Sequence, residues 1–237
     1  MNIYFNRTKK SHLFIRLIYK FFSLVPLSKK QKLTITLNLE WIFNRLSHEY
    51  SFNIYKRINH PQRVAFLKFL SPFLKNNFSV LDLGCNLGDN SFLVSSKVKN
   101  VLGIDYDKDS INIAKKYYKA NNLNFVVGDA IDYLKDCTEN FDVLMLSHIL
   151  EHLEEPEKFL NHFSGMFRYI YIEVPDLENT MLSSYRNKLN LTLQYTDTDH
   201  VIEFSREGIE KIISNSKLNI LASEYKFGTL KYWCELT

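Results

Sequence analysis

Cysteine is scarce in this 237-residue chain, and the three present do not pair. Cys85, Cys137 and Cys234 show neither a ligand spacing nor a disulfide framework, which argues against a stapled scaffold or a cysteine zinc site. That usage suits a reducing compartment, so a cytoplasmic location is expected. Long apolar runs are missing too, none approaching the roughly 20 residues that span a bilayer. The best candidate, Leu13–Val25, is broken by Arg16 and Lys20 and lacks a small-residue cleavage site, so it does not read as a signal peptide. Internal repeats and low-complexity segments are absent. Acid is missing from residues 1–39, where Arg7, Lys9, Lys10, Arg16, Lys20, Lys29, Lys30 and Lys32 all precede Glu40. The formal net charge of +4 therefore hides an asymmetry: the remainder carries 22 basic against 26 acidic side chains, a net of about −4. A mildly acidic body argues against a broad nucleic-acid groove. The basic arm could meet phosphates, anionic lipid or an acidic patch of the protein itself.

The first 75 residues carry helical signals and form an N-terminal attachment, with the main domain over residues 76–237. Leu13, Leu17, Lys20 and Leu24 share one side of a helix, beside Phe14, Ile18, Phe21 and Val25. Such a stripe either packs on the domain, or lies in a membrane surface at the inner face of the membrane, or covers the substrate. Two further helices are expected near Thr36–Ser47 and over Pro61–Leu70, the proline at a first-turn position. From Ser79 the pattern changes. Strands are expected at Ser79–Leu83, Asn100–Asp105, Asn124–Gly128, Phe141–Ser147 and Tyr169–Val174, with helices between them, as at Asp109–Ala120. Near-continuous apolar strands alternating with helices imply right-handed crossovers and a parallel sheet covered on both faces. Leu218–Lys226 and Leu230–Glu235 are separated only by Phe227, Gly228 and Thr229, too short for a crossover and suited to an antiparallel hairpin.

The densest motif is Val80-Leu-Asp-Leu-Gly-Cys-Asn-Leu-Gly-Asp-Asn-Ser91, a buried strand running through a glycine turn into a helix. Gly84 and Gly88 permit close backbone approach to a ligand, and Asn86 tolerates positive φ nearly as well as glycine. The stretch resembles the first motif of class I methyltransferases, an acidic residue followed by Gly-x-Gly-x-Gly, with Asn86 in place of the middle glycine. Nicotinamide-binding folds also place glycines here. Three later signals favour the methyltransferase reading: Val101-Leu-Gly-Ile-Asp105, with a carboxylate for ribose hydroxyls at a strand tip; Val126-Val-Gly-Asp-Ala130, similar to the family's adenine-side motif; and Phe141-Asp-Val-Leu-Met-Leu-Ser147, which matches its fourth strand from Asp142 to a pocket floor at Ser147. All stand at the carboxyl ends of strands, where open α/β sheets bind ligands. The resemblance covers roughly Ser79 to the C-terminus. It implies an α/β, Rossmann-like seven-stranded, mostly parallel sheet that binds S-adenosylmethionine through Asp82, Gly84, Cys85, Asn86, Gly88, Asp105, Tyr106, Asp129, Ala130 and Ser147.

The acceptor side begins at His148-Ile-Leu-Glu-His152, straight after the fourth strand. On a helix, His148, Glu151 and His152 would share one face. His200 follows in Asp199-His-Val-Ile-Glu-Phe-Ser-Arg206. Three readings stand open: a polar loop and helix cap; a metal-free catalytic base, His152 or His200; and a divalent metal held by His148, Glu151, His152 and His200. Glu-x-x-Glu-His occupies this place in ubiquinone-biosynthesis O-methyltransferases and in small-RNA 3′-terminal 2′-O-methyltransferases, which the segment resembles. That resemblance implies a bound divalent ion, with Glu151, His152 and His200 at the chemistry. His148 replaces the first glutamate, and three imidazoles would favour iron, manganese, cobalt or zinc over magnesium. Glu173 could point into the acceptor site or cap a turn. Tyr185, Arg186 and Tyr195 precede His200 in a segment that could lid the site or merely pack on the surface.

The expected function is O-methylation of a small polar or saccharide acceptor. By analogy with bacterial methyltransferases, this would be a surface (capsular or lipopolysaccharide) glycan or its phosphorylated precursor. An RNA 3′-end acceptor and a non-catalytic cofactor-binding subunit are the alternatives, and the oligomeric state stays open.

Overall fold

A computed structural model describes residues 13–193, 197 and 199–237; Tyr195, named above for a lid, lies outside them. Two helices lead, α1 (Leu13–Leu24) and α2 (Lys29–Ile54), followed by α3 (Pro61–Leu70). The α/β body then runs β1 (Ser79–Leu83), α4 (Asp89–Ser95), β2 (Asn100–Asp105), α5 (Lys108–Tyr117), β3 (Leu123–Val127), α6 (Ala130–Asp136), β4 (Val143–Ser147), α7 (Pro156–Phe163), β5 (Tyr169–Pro175), α8 (Met181–Leu189), α9 (Arg206–Asn215), β6 (Leu218–Lys226) and β7 (Thr229–Leu236). The sheet order is β3-β2-β1-β4-β5-β7-β6. β1 to β5 pair in parallel, while β7 lies antiparallel between β5 and β6. The expected mostly parallel sheet with a closing hairpin is therefore present.

Strand side chains alternate, so each face of the sheet has its own core. Val80, Val101, Val143, Met145, Tyr171 and Trp233 pack under Phe66 and Leu70 of α3, Val94 of α4, and Ile111 and Ala114 of α5. Leu81, Leu83, Ile104, Leu144, Ile170 and Ile172 meet Leu134 of α6, Leu160 and Phe163 of α7, and Ile209 and Ile213 of α9. β1 and β4 are buried on both sides, which is why their sequences read as unbroken apolar runs. The order reverses beside β1, between β2 and β4, and opens a crevice at the carboxyl ends of these strands.

The N-terminal helices depart from the expectations. The helix foreseen near Thr36–Ser47 extends over 26 residues, because the Ser28 hydroxyl accepts from the Gln31 amide and the Gln31 side chain accepts from the Ser28 amide, a reciprocal cap that starts it early. α1 does not pack on the domain, since none of its residues is buried. The helix ends at Leu24, and Pro26 two residues on turns the chain into α2. At the other end of α2, His60 is buried, stacks on Phe52 at 4.1 Å, meets the Ser51 hydroxyl at 2.9 Å and caps α3.

Gly103 in β2 shows how tightly the crevice floor is built. A Cβ there would stand 2.7 Å from Phe125 and 2.9 Å from Cys85 Sγ. Gly103→Ala is expected to cost about 1–3 kcal/mol of stability from overpacking, read as a lower urea midpoint with an unchanged denaturant slope.

Candidate active site

The turn from β1 into α4 needs three left-handed residues, Gly84 (φ 65°), Asn86 (φ 47°) and Gly88 (φ 78°). Sterics explain two of them further. A Cβ on Gly84 would stand 2.1 Å from Ile149 Cδ1, and one on Gly88 would stand 2.6 Å from the Phe125 ring. Asn86 fits because a short amide side chain tolerates this region. The turn is stapled to the next strand: the Asn86 amide donates to Asp105 Oδ2 at 2.7 Å, and the Cys85 amide donates to the Ile104 carbonyl at 2.9 Å. Asp105 Oδ1 accepts from the Asp107 amide at 2.9 Å, so its carboxylate stands at the strand tip, oriented on both sides.

Asp82 is fully buried and accepts the Ser91 hydroxyl, joining β1 to α4. Burial pushes its carboxyl up to about 7, against smaller opposing effects from the Ser91 hydrogen bond and the Arg63 charge. Burial, reinforced by the charges of Asp82 and Asp105, also pushes the Cys85 thiol far up, and its side chain packs into the core beside Gly103. Asp129 is exposed and caps α6 by accepting the Ile131 amide at 2.8 Å and the Asp132 amide at 3.0 Å, with Ala130 opening that helix. Tyr106 is 82% exposed beside Asp105. Ser147 accepts from the Asn90 side chain at 3.4 Å, tying the end of β4 to α4.

Two cations at this crevice had no motif to announce them. Arg57 reaches Asp89 at 3.0 Å, and Arg63 donates to Asn90 at 3.1 Å and approaches Asp89 at 3.8 Å. Tyr118 also donates to Asp89. Arg63 Nε is buried without a hydrogen-bond partner among the described residues. The only sequence signal was the alternation of basic and apolar residues through Arg57–Leu70, which ordinary amphipathic helices share.

On the acceptor side the geometry differs from a helix face. His148 stands in the left-handed region (φ 58°), and Leu150–His152 form a single 3-10 turn. The reason is that β4 and β5 remain paired through this point. The His148 amide donates to the Glu173 carbonyl at 2.8 Å, so the chain must leave the sheet before it can coil. His148 Nδ1 meets Glu151 Oε1 at 2.9 Å. Glu151 is fully buried, and its Oε2 lacks a hydrogen-bond partner among the described residues. Its carbonyl accepts the amides of Val201 and Ile202, which draws the distal segment over it. The His152 and His200 rings consequently meet edge to face at 5.0 Å. One donor atom from each of Glu151, His152 and His200 falls within 4.8 Å of the others, a set that could hold a divalent ion. His148 lies outside that set and instead orients Glu151. His200 Nδ1 is held by Glu203 at 2.9 Å. Desolvation pulls the His200 imidazole down, but Glu203 and the nearby Glu151 and Asp197 charges leave it above its ordinary value. His148 behaves alike, raised by Glu151 and Glu173 against its desolvation.

The other candidates divide. Glu173 is buried, accepts the Tyr171 hydroxyl at 2.9 Å and lies close enough to His148 to act on its imidazole. Arg186 is buried, pairing with Glu40 and donating to the Leu37 carbonyl at 3.1 Å, and Tyr185 is 38% exposed beside it on α8.

Two outcomes are expected. Asp105→Ala should weaken S-adenosylhomocysteine binding at least about tenfold by calorimetry, since a charge-assisted hydrogen bond is worth roughly 1.5–3 kcal/mol. Asp82 should reveal itself in stability against pH. Its folded-state value lies above the unfolded one of ~4, so stability from this group is greatest in acid and falls as pH rises to about 7. Asp82→Asn should therefore gain about 2–4 kcal/mol over the parent at pH 8 and nothing at pH 4, measured by urea unfolding.

Comparisons with known proteins agree with this layout. An "Uncharacterized RNA methyltransferase" of Mycoplasma mobile is 31% identical over 115 residues, 47% of this chain and 32% of the relative. The mitochondrial ubiquinone biosynthesis O-methyltransferase of Schizosaccharomyces pombe is 26% identical over 239 residues, 94% of this chain and 82% of the relative. The chain spans only about a third of the length of several curated relatives it matches, the Mycoplasma protein among them. Among solved structures, magnesium protoporphyrin IX methyltransferase from Synechocystis PCC 6803 with bound SAH superposes with a TM-score of 0.57 at 15% identity, covering 95% of each chain, a likeness of fold. Residues 74–197, more than half of the chain, match the family model described as a methyltransferase domain. With the glycine turn, the Asp105 carboxylate and the seven-stranded sheet, that match makes this chain a member of the class I S-adenosylmethionine-dependent methyltransferases.

Proposed function

We propose that the chain transfers the methyl group to a hydroxyl oxygen of a small polar acceptor of the saccharide class, with a divalent ion held by Glu151, His152 and His200. The observation that supports the ion is the buried Oε2 of Glu151, without a hydrogen-bond partner among the described residues, beside two imidazoles. An uncompensated buried carboxylate oxygen is costly, and a cation is the natural compensation. A divalent ion bound there would lower the pKa of an acceptor hydroxyl and orient a neighbouring oxygen.

The protein's own groups do the rest. Asp105 and the glycine turn hold the nucleoside, and Arg63 Nε, without a hydrogen-bond partner among the described residues, suits the carboxylate of the methionine part. His148 and Glu203 fix Glu151 and His200 in place. In the transfer, oxygen attacks the methyl carbon in line as the carbon–sulfur bond breaks. The bonding pair stays on sulfur, giving S-adenosylhomocysteine, and the hydroxyl proton leaves to water. The mildly acidic body disfavours a polynucleotide acceptor, although relatives named for RNA exist. A phenolic acceptor is the second reading, supported by the ubiquinone O-methyltransferase that aligns over 94% of this chain.

The test supplies saccharide, phenolic and RNA acceptors in parallel with labelled S-adenosylmethionine. Methylation of saccharide, lost on chelation and restored by iron, manganese, cobalt or zinc, is the expected result. His152→Ala and His200→Ala should each lower turnover on the order of 10²-fold or more with cofactor affinity unchanged, and His148→Ala should weaken metal binding about 10- to 100-fold. Metal-free protein of full activity, or selective methylation of RNA, would overturn the reading. Cofactor binding without transfer to any acceptor would mark a non-catalytic subunit.

A further inference from the structure

We propose that α1 is a membrane-surface anchor that lies in the plane of an anionic bilayer. Each described residue from Leu13 to Phe21 is exposed, with Phe14 at 72%, Leu17 at 55% and Phe21 at 63%. At about 100° per residue, Arg16, Tyr19, Lys20 and Ser23 gather on one side, and Leu13, Phe14, Ile15, Leu17, Ile18, Phe21, Phe22 and Leu24 sweep the other. An apolar surface of that breadth left in water marks an interaction site.

Charge selects the occupant. Arg16 and Lys20 flank the apolar side, Lys29, Lys30 and Lys32 open α2, and the sequence before α1 adds Arg7, Lys9 and Lys10, with no acid before Glu40. A second copy would bring the same cations against these. A nucleic acid would satisfy the cations and leave eight bulky apolar side chains in water. An anionic lipid surface answers both, taking the apolar side among acyl chains and the cations among headgroups. Twelve residues rise only about 18 Å, short of a bilayer core, and no helix among the described residues is long and apolar enough to cross a membrane. The helix therefore lies flat.

The anchor is joined to the acceptor side. α2 continues from Pro26, carries Arg45 to Asp197, and receives Arg186 of α8 on Glu40 and the Leu37 carbonyl. α2 thus links the anchor to the segment that carries His200. This inference is independent of the acceptor class and of any bound metal.

The test is flotation of the full chain with vesicles of phosphatidylcholine alone and of phosphatidylcholine with phosphatidylserine. The expected result is co-flotation with the anionic vesicles only, weakened by salt. The double variant Phe14→Asp/Phe21→Asp should lose at least about tenfold of the bound fraction, and Arg16→Glu/Lys20→Glu should also lose it. These side chains are exposed, so S-adenosylhomocysteine affinity should stay unchanged in both variants and serve as the folding control. A chain that stays unbound to anionic vesicles, binds both vesicle types equally, or binds unchanged in the aspartate variant overturns the proposal. Self-association or RNA binding that depends on α1, with no flotation, overturns it in favour of that occupant.

Discussion

The site depends on one constraint: a buried parallel strand must turn into a helix within a few residues while leaving its backbone open to a ligand. Three left-handed residues meet it, and the neighbouring strand locks it through the Asp105 carboxylate. The lock explains the economy of the motif. The group expected to face the ribose also holds the turn that frames it, so geometry and chemistry are specified together. Ile149 and Phe125 close the space that a side chain at Gly84 or Gly88 would need. Ile149 belongs to the segment that carries the acceptor-side histidines, so the cofactor turn and the acceptor loop pack directly on one another.

The acceptor side obeys a different logic, that of burying charge. Glu151 is sealed by the backbone amides of Val201 and Ile202, which bind its carbonyl, and by His148, which takes one carboxylate oxygen. This arrangement raises the imidazoles of His148 and His200 by placing carboxylates against them in a partly desolvated space. Such a cluster is expensive to assemble without function, because each buried polar atom must find a partner.

The N-terminal helices contribute unequally. α3 is part of the main core through Phe66 and Leu70, and its neighbourhood supplies Arg57 and Arg63 to the crevice. α2 reaches across to α8 through charged contacts and buries a single residue, Leu37. α1 stands apart from both cores. The gradient runs from core element to ion-paired strap to exposed amphipathic arm.

Local pattern determined the strands, the parallel sheet, the closing hairpin and the glycine turn, because each is encoded by residues adjacent in the chain: an apolar run for a strand buried on both faces, glycine or asparagine for positive φ, a short link for a hairpin, which the structure trims from the expected three residues to Phe227 and Gly228. Only the tertiary structure decided the rest. Nothing in His148-Ile-Leu-Glu-His152 announces that strand pairing to Glu173 forbids a helix there, so the shared helical face foreseen for its ligands gives way to a 3-10 turn that sets His148 apart. Nothing local brings His200 to His152 or Arg63 to Asn90, since those meetings require the sheet to stack distant segments against one edge. An amphipathic stripe such as α1 specifies which side is apolar; whether that side meets the core depends on how much core the other elements already cover, and here they cover it without α1.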